Sequence, residues 1–415
     1  MSQISYHNTG FKDFRSGGEK LDIDQGKISR IHDFFMDFEN MSGRLEDLRK
    51  NFPSGVIIPI LESDLQNQAL SKIIEGLNQC RYLEKIFIAL SAKDPSNYEK
   101  TLKLSRSLKV PCDVIWCNKP EVNSLLEELN TKGLEVAKLR GKGKDLWIAI
   151  GIASLELHAF ALHDADIVSY SKLLPTKLLF PIIEPKLDFF FSKGYYARVS
   201  EEKRKMYGRI YRLFINPVLQ ALQEKIEYRS EFLRYLKSFR YLLSGEIAIY
   251  SDLALNLRIP SDWGFEIGML AELFRNSSYK RICEVDLGFY DHKHKEVKKE
   301  ELLQTAEDSL VCLLRTLTET DHIDVTEAFL LSLQVIYRRI AQDKIRQYNA
   351  DSLCNNLFYD RHEEETNVDC LAKSIVDSGR RYLTTPTETQ LPDWLRTISA
   401  AHDIRERLRD TAIEK

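Results

Sequence analysis

Two aspartates one residue apart, Asp164 and Asp166, follow the short apolar segment His158-Ala159-Phe160-Ala161-Leu162. Carboxylates at i and i+2 at the end of a buried strand can hold a divalent cation and the diphosphate of a nucleotide sugar. Hard oxygen ligands suit Mg2+ or Mn2+, and such an ion screens the charge that builds on a leaving diphosphate. Spacing alone is a weak signal, since a chain of this length contains roughly one such pair by chance. Asp22-Ile23-Asp24 is that decoy: it follows no apolar strand and reads as solvated surface. What singles out Asp164 and Asp166 is position, because ligands of open parallel sheets bind beyond the carboxyl ends of the strands.

Four further segments carry chemistry-bearing residues. Gly141-Lys142-Gly143-Lys144-Asp145 joins accessible backbone, a lysine and a helix start, which reads either as an anion site or as a solvated basic turn. It is no P-loop, since neither lysine precedes Ser or Thr. Leu243-Ser244-Gly245-Glu246-Ile247-Ala248 reads as a turn into a helix. In Pro260-Ser261-Asp262-Trp263-Gly264-Phe265-Glu266, either Ser261 or Asp262 is placed to cap a helix Phe265 to Phe274. Glu266 then lies in an apolar helix, where a carboxylate is costly unless paired; the plainer reading is a helix-start carboxylate. Two histidines at i and i+2, His292 and His294, follow a strand and can supply one metal ligand.

The elements that must position these groups alternate. Apolar runs at 56–61, 86–90, 113–117 and 158–162 read as strands, with helices at 65–79, 96–108 and 145–156 between them. That order predicts an α/β fold, a mostly parallel sheet flanked by helices. Ile28, Ile31, Phe34, Phe35 and Phe38 sit at helical spacing. Beyond residue 167 come an apolar helix pair, an aromatic strand 189–199 and a late strand 281–290. After 296 the pattern is helical, with stripes over 299–317 and 324–347 forming a hairpin, a charged loop from Tyr359 to Asp369, and a helix over 368–382. The expected organisation is an N-terminal helical or irregular segment (1–50), a catalytic domain (51–295) and a helical C-terminal region (296–415).

Composition excludes several classes. Hydrophobic residues make up 43% and charged residues 29%, which rules out wholesale disorder. With 59 Lys and Arg against 62 Asp and Glu, the formal net charge of −3 offers no basic field for nucleic acid. Seven cysteines without a CxxC pair argue against a disulfide framework and a zinc knuckle. The longest apolar stretch, Leu146 to Leu162, is broken by Glu156 and His158 and falls short of a membrane span. The opening MSQISYHNTGFKDF lacks a basic-then-apolar signal pattern. The expectation is a cytoplasmic protein that binds neither membrane nor nucleic acid.

The order of the pieces, IIPIL, GKGKDLW, HDAD, LLSGEIA, DWGFEIGMLAELF and EVDLGFYDHKH, resembles the retaining GT-A-fold glucosyl-3-phosphoglycerate synthases and their mannosyl relatives. The resemblance covers about 55–295. It implies a GT-A-like, Rossmann-like nucleotide-sugar-binding core, a divalent cation (Mg2+ or Mn2+), and a homodimer. It implies transfer of glucose from an NDP-glucose to 3-phosphoglycerate, giving glucosyl-3-phosphoglycerate, a precursor of the compatible solute glucosylglycerate. Carried over, Asp164 faces the donor and Asp166 and His292 hold the metal. Lys142, Gly245 and Glu246 line the donor, Glu266 sits beside the reacting centre with Asp164, and Gly208-Arg209 grips the acceptor phosphate. The family's Asn-Glu, Asp-Ser-Gly-Ser and a phosphate-binding threonine are here Glu62-Ser63, Ala89-Leu90-Ser91-Ala92 and Tyr211, which leaves the donor base and the acceptor open. Two other readings stand beside it: mannosyl transfer from GDP-mannose, and a sugar-nucleotide-binding protein that has lost turnover. A nucleotidyltransferase would need a glycine-rich loop after the first strand, which Glu62-Ser63-Asp64-Leu65 does not supply.

Asp166→Ala should abolish metal-dependent turnover without unfolding the protein, whereas Asp22→Ala should leave the rate unchanged. Rates and circular dichroism of both variants test the placement, and equal behaviour would refute it.

Overall fold

The computed structural model describes residues 25–413 apart from 201, 292–298 and 386–389. Among them nine strands form one sheet: β1 (Ser29–Ile31), β2 (Ser54–Leu61), β3 (Lys85–Ser91), β4 (Cys112–Trp116), β5 (Ala159–Leu162), β6 (Phe191–Ser200), β7 (Lys205–Met206), β8 (Ile247–Tyr250) and β9 (Ile282–Tyr290). The order is β1-β9-β6-β8-β5-β2-β3-β4, with β7 folded back on β6. Neighbours run parallel except β8, which is antiparallel to both β5 and β6, and the β6–β7 hairpin. The continuously apolar β2 and β3 are buried, as strands covered on both faces must be.

Register decides what meets at the end of β5. Leu162 pairs with Ile247 in the antiparallel β5–β8 ladder. The residues just after β5 and just before β8 are therefore neighbours, so Asp164 faces Gly245. Two sequence expectations fail here for the same reason, a strand pairing that periodicity does not show. Leu243 to Ala248 is a turn into strand β8, not into a helix. Ile28 to Phe38 is not one helix either: Ser29–Ile31 adds to the edge of β9, Phe34 and Phe35 are exposed, and the helix runs from Phe38 to Leu48 with Asp37 as its cap. The expected helix 65–79 is a short 3-10 turn, Glu62–Gln66, followed by Ala69–Leu77.

The helix Lys142–Ala153 is buried from Gly143 onward because it is covered on both sides. The sheet takes one side. On the other, Trp394 stacks on Trp147 with ring centroids 4.0 Å apart, and Gly151 leaves the room: a Cβ there would lie 2.2 Å from the Trp394 ring. Each indole N–H is satisfied, Trp147 by the Pro392 carbonyl at 2.8 Å and Trp394 by the Trp147 carbonyl at 2.9 Å.

Behind the sheet lie three long helices, Lys299–Asp321, Glu327–Cys354 and Arg361–Thr384. Leu310, Leu313, Leu330, Leu333 and Ile375 share one apolar cluster with Leu213, Phe214 and Ile215 of the turn that follows Arg209. The charged stretch Tyr359 to Asp369, expected as an exposed loop, is corrected: from Arg361 it is helix, and Glu364 is buried in a two-bond pair with Arg212 at 2.9 and 3.1 Å. A charged sequence is helical here because one of its carboxylates meets a buried arginine.

Cutting the chain after residue 296 would uncover apolar side chains that share a cluster with the tail, among them Leu213, Phe214 and Ile215, each worth about 1.5–3 kcal/mol when buried, against a typical total stability of about 5–15 kcal/mol. The 1–296 fragment should therefore be insoluble or unfolded by size exclusion and circular dichroism. A soluble and active fragment would contradict this packing.

Candidate active site

The site is built where β5 ends. Gly141 adopts φ +118°, and a Cβ on it would lie 2.4 Å from the Ser261 carbonyl oxygen; one on Gly143 would lie 2.0 Å from that of Pro260. The Gly143 N–H donates to the Ser261 carbonyl at 3.0 Å. The two glycines thus dock the start of the helix Lys142–Ala153 directly on backbone, and Lys142 between them is delivered into the site. Its Nζ lies 2.7 Å from Asp164 Oδ1 and 3.2 Å from Glu266 Oε1. Glu266 comes from the first turn of the helix Phe265–Asn276. The cap of that helix is Gly264, not Ser261 or Asp262; Asp262 instead accepts from the Gly264 N–H at 2.8 Å.

Charge is distributed unequally over the two aspartates. Burial alone would raise Asp164, but the Lys142 charge and hydrogen bond outweigh it and hold the carboxyl below its usual range. For Asp166, burial and then the Asp164 charge push the carboxyl up to about 7, with Arg198 opposing. Lys142 itself would be lowered by burial, and Asp164 and Glu266 raise it instead.

Glu246 lies alongside. It is fully buried, and its two oxygens accept from Tyr290 and Tyr196 hydroxyls, each at 2.7 Å. Those tyrosine rings stack at 3.9 Å. Burial and the Asp164 charge raise Glu246, with the tyrosine bonds opposing. A Cβ on Gly245 would lie 2.7 Å from Asp164 Oδ2, so only glycine allows this approach.

The other expected residues are less central. Gly208 (φ +76°) packs near Arg198 and the Tyr241 hydroxyl. Arg209 carries its guanidinium to Glu363, Nη1 to Oε1 at 2.8 Å. Tyr211 donates its hydroxyl to the Arg240 carbonyl at 2.7 Å. His292 lies outside the described residues. The end of β9 is nonetheless stitched to the loop after Asp166, since the Val168 N–H donates to the Asp291 carbonyl at 2.9 Å. Among the described residues no group of three or more His, Cys, Asp or Glu side chains is placed to hold a metal ion.

Sequence reasoning missed Arg198, Tyr196, Tyr290 and Lys193. Tyr196 and Arg198 are two apart on β6 and so share a face of the sheet. Lys193 is buried with its Nζ 2.5 Å from the Ser244 carbonyl oxygen, and burial lowers its ammonium to about 8. The available signal was a lysine, a tyrosine and an arginine in a strand read only as aromatic.

No family model matches the chain. It is 46% identical to the glucosyl-3-phosphoglycerate synthase of Methanococcoides burtonii, over 95% of this chain and 98% of that one. It is 37% identical to the synthase of the same name from Persephonella marina, over 92% and 96%. Among solved structures, the glucosyl-3-phosphoglycerate synthase of Mycobacterium tuberculosis in complex with Mn2+, UDP-glucose and phosphoglyceric acid superimposes with a TM-score of 0.51. That match covers 70% of this chain and 87% of the other at 20% identity. The mannosyl-3-phosphoglycerate synthase of Rubrobacter xylanophilus gives 0.54 over 71% and 82% at 16% identity. These structures establish the GT-A-like fold.

Gly143→Ala places a methyl group on a carbonyl oxygen and should cost about 1–3 kcal/mol of stability, with a loss of activity that exceeds it because Lys142 moves. Thermal melts and kcat together test this; a neutral effect on both would contradict the docking role of the glycines.

Proposed function

The chain belongs to the glucosyl-3-phosphoglycerate synthase family, and we propose that it transfers glucose from a nucleoside-diphosphate glucose to the 2-hydroxyl of 3-phosphoglycerate with retention at the anomeric carbon. The observation that carries this reading is the Lys142 ammonium set between Asp164 and Glu266 at the carboxyl end of a parallel strand.

Lys142 keeps Asp164 ionised and fixed in direction, ready to accept from a donor hydroxyl. Glu266, tied to the same ammonium, lies on the far side of it and flanks the reacting carbon. Gly245 lets the donor side of the site approach Asp164, and Glu246, held by two tyrosines, lines it. Asp166 and His292 are the residues that would hold a divalent cation. The fit is chemical: Asp166 offers hard oxygen in an acid-rich site, and Mg2+ or Mn2+ commonly takes one or two carboxylates with substrate phosphates completing its shell. When bound, the ion neutralises charge on the departing diphosphate. Arg209 carries the positive charge for the acceptor phosphate, with the Lys205 ammonium beside it on the same Glu363 carboxylate, and the acceptor attacks the face of the sugar that the diphosphate leaves. No nucleophilic side chain is required.

The protein is further proposed to act in the cytoplasm as a homodimer. No helix among the described residues is long and apolar enough to cross a membrane, and all seven cysteines are free.

Incubation with 3-phosphoglycerate and a panel of UDP-, GDP- and ADP-glucose and GDP-mannose, with Mg2+ or Mn2+, tests the proposal. The expected outcome is a glucosyl-3-phosphoglycerate ion in the mass spectrum, stoichiometric with nucleoside diphosphate and lost on chelation. Product from GDP-mannose alone would move the chain to the mannosyl reading, and no diphosphate release with any donor would favour a binding protein.

A further inference from the structure

The helix Arg361–Thr384 begins against the cations assigned to the acceptor. Glu363, in its first turn, places Oε1 2.8 Å from Arg209 Nη1 and Oε2 3.1 Å from Lys205 Nζ. The backbone carrying it is fixed on both sides. Before it, the Phe358 N–H donates to the Arg204 carbonyl at 2.6 Å, Phe358 bridges Lys205 in the parallel sense, and the Lys205 ammonium stands 5.6 Å from the Phe358 ring centroid. At the helix start, Asp360 accepts from the Glu363 N–H at 3.0 Å. After it, Glu364 is locked on buried Arg212. The Glu363 side chain is 38% exposed, so it can swing away while its backbone stays.

A carboxylate on two phosphate-binding cations does what the substrate does. It carries less charge and fewer oxygens than a phosphate dianion, so a phosphate linked to further contacts displaces it, while stray anions compete poorly. We propose that Glu363 sets the anion affinity of the acceptor site, as an intramolecular competitor that occupies Arg209 and Lys205 until the acceptor phosphate displaces it. This rests on the acceptor role of Arg209 given above. Glu363 thereby sets the acceptor affinity and shields the site from inorganic phosphate. The C-terminal helical region supplies this element.

The test is the acceptor KM at saturating donor, with inorganic phosphate as a competitive inhibitor, in wild type, Glu363→Gln, Glu365→Gln and Arg209→Lys. Glu365 pairs with Arg361 and serves as the control. Glu363→Gln should lower both the acceptor KM and the phosphate inhibition constant by about threefold to tenfold, leaving the donor KM unchanged, while Glu365→Gln changes neither. Calorimetric binding of inorganic phosphate reads the same change without turnover, and a thermal melt confirms folding. A raised acceptor KM in Glu363→Gln would make Glu363 a support for Arg209, and an unchanged one would make it a surface ion pair; either overturns the proposal. Arg209→Lys separates the two readings. If it raises the acceptor KM while Glu363→Gln is silent, only the competitor falls; if it too is silent, the acceptor role of Arg209 falls first.

Discussion

A carboxylate partly withdrawn from water needs a partner to carry its charge, and for Asp164, whose side chain is 33% exposed, that partner is Lys142. Much of the molecule is arranged around keeping the two together. The lysine reaches its place because flanking glycines let a helix start rest on the backbone of Pro260 and Ser261. The aspartate reaches its own because β5 ends opposite the start of β8. Glu266 shares the same ammonium, so three separate chain segments converge on one cation. With Asp164 ionised in this way, a further negative charge is disfavoured on Asp166 and Glu246, whose carboxyls are raised by burial and by Asp164.

The C-terminal helices belong to the same construction. They seal the apolar face of the turn after Arg209 and bury the Arg212–Glu364 pair, which would be costly to break because one partner alone is an uncompensated buried charge. The same rigidity sets the backbone of Glu363 beside Arg209 and Lys205. Further along the tail, Trp394 packs on the helix that begins with Lys142 and steadies it.

Much of the sheet was legible from sequence because β2, β3 and β5 are built on continuous apolar runs and β4 ends in one, and HDAD stands out as the polar end of β5. GKG and DWGFEIG were legible as motifs, but their mutual contact was not, since it joins residues more than a hundred apart through a carbonyl. Strand β8 was misread because four residues between a turn and a helix carry no periodicity. The edge strand at Ser29–Ile31 was misread because its apolar spacing happens to suit a helix. Arg198, Tyr196 and Tyr290 were missed for a different reason: their importance comes from which strands are neighbours in the sheet, β6 beside β8 and β9, and no local pattern reports that. The helical start at Arg361 was hidden by a charge run whose partners, Arg209 and Arg212, lie some 150 residues earlier in the sequence.

The site divides its labour between the two aspartates, one bound to lysine and the other left for a metal. Anomalous diffraction from crystals grown with Mn2+ and UDP measures it directly. The result expected is a manganese peak coordinated by Asp166, with Asp164 still bonded to Lys142. A peak shared equally by both carboxylates with Lys142 displaced, or one remote from Asp166, would contradict it.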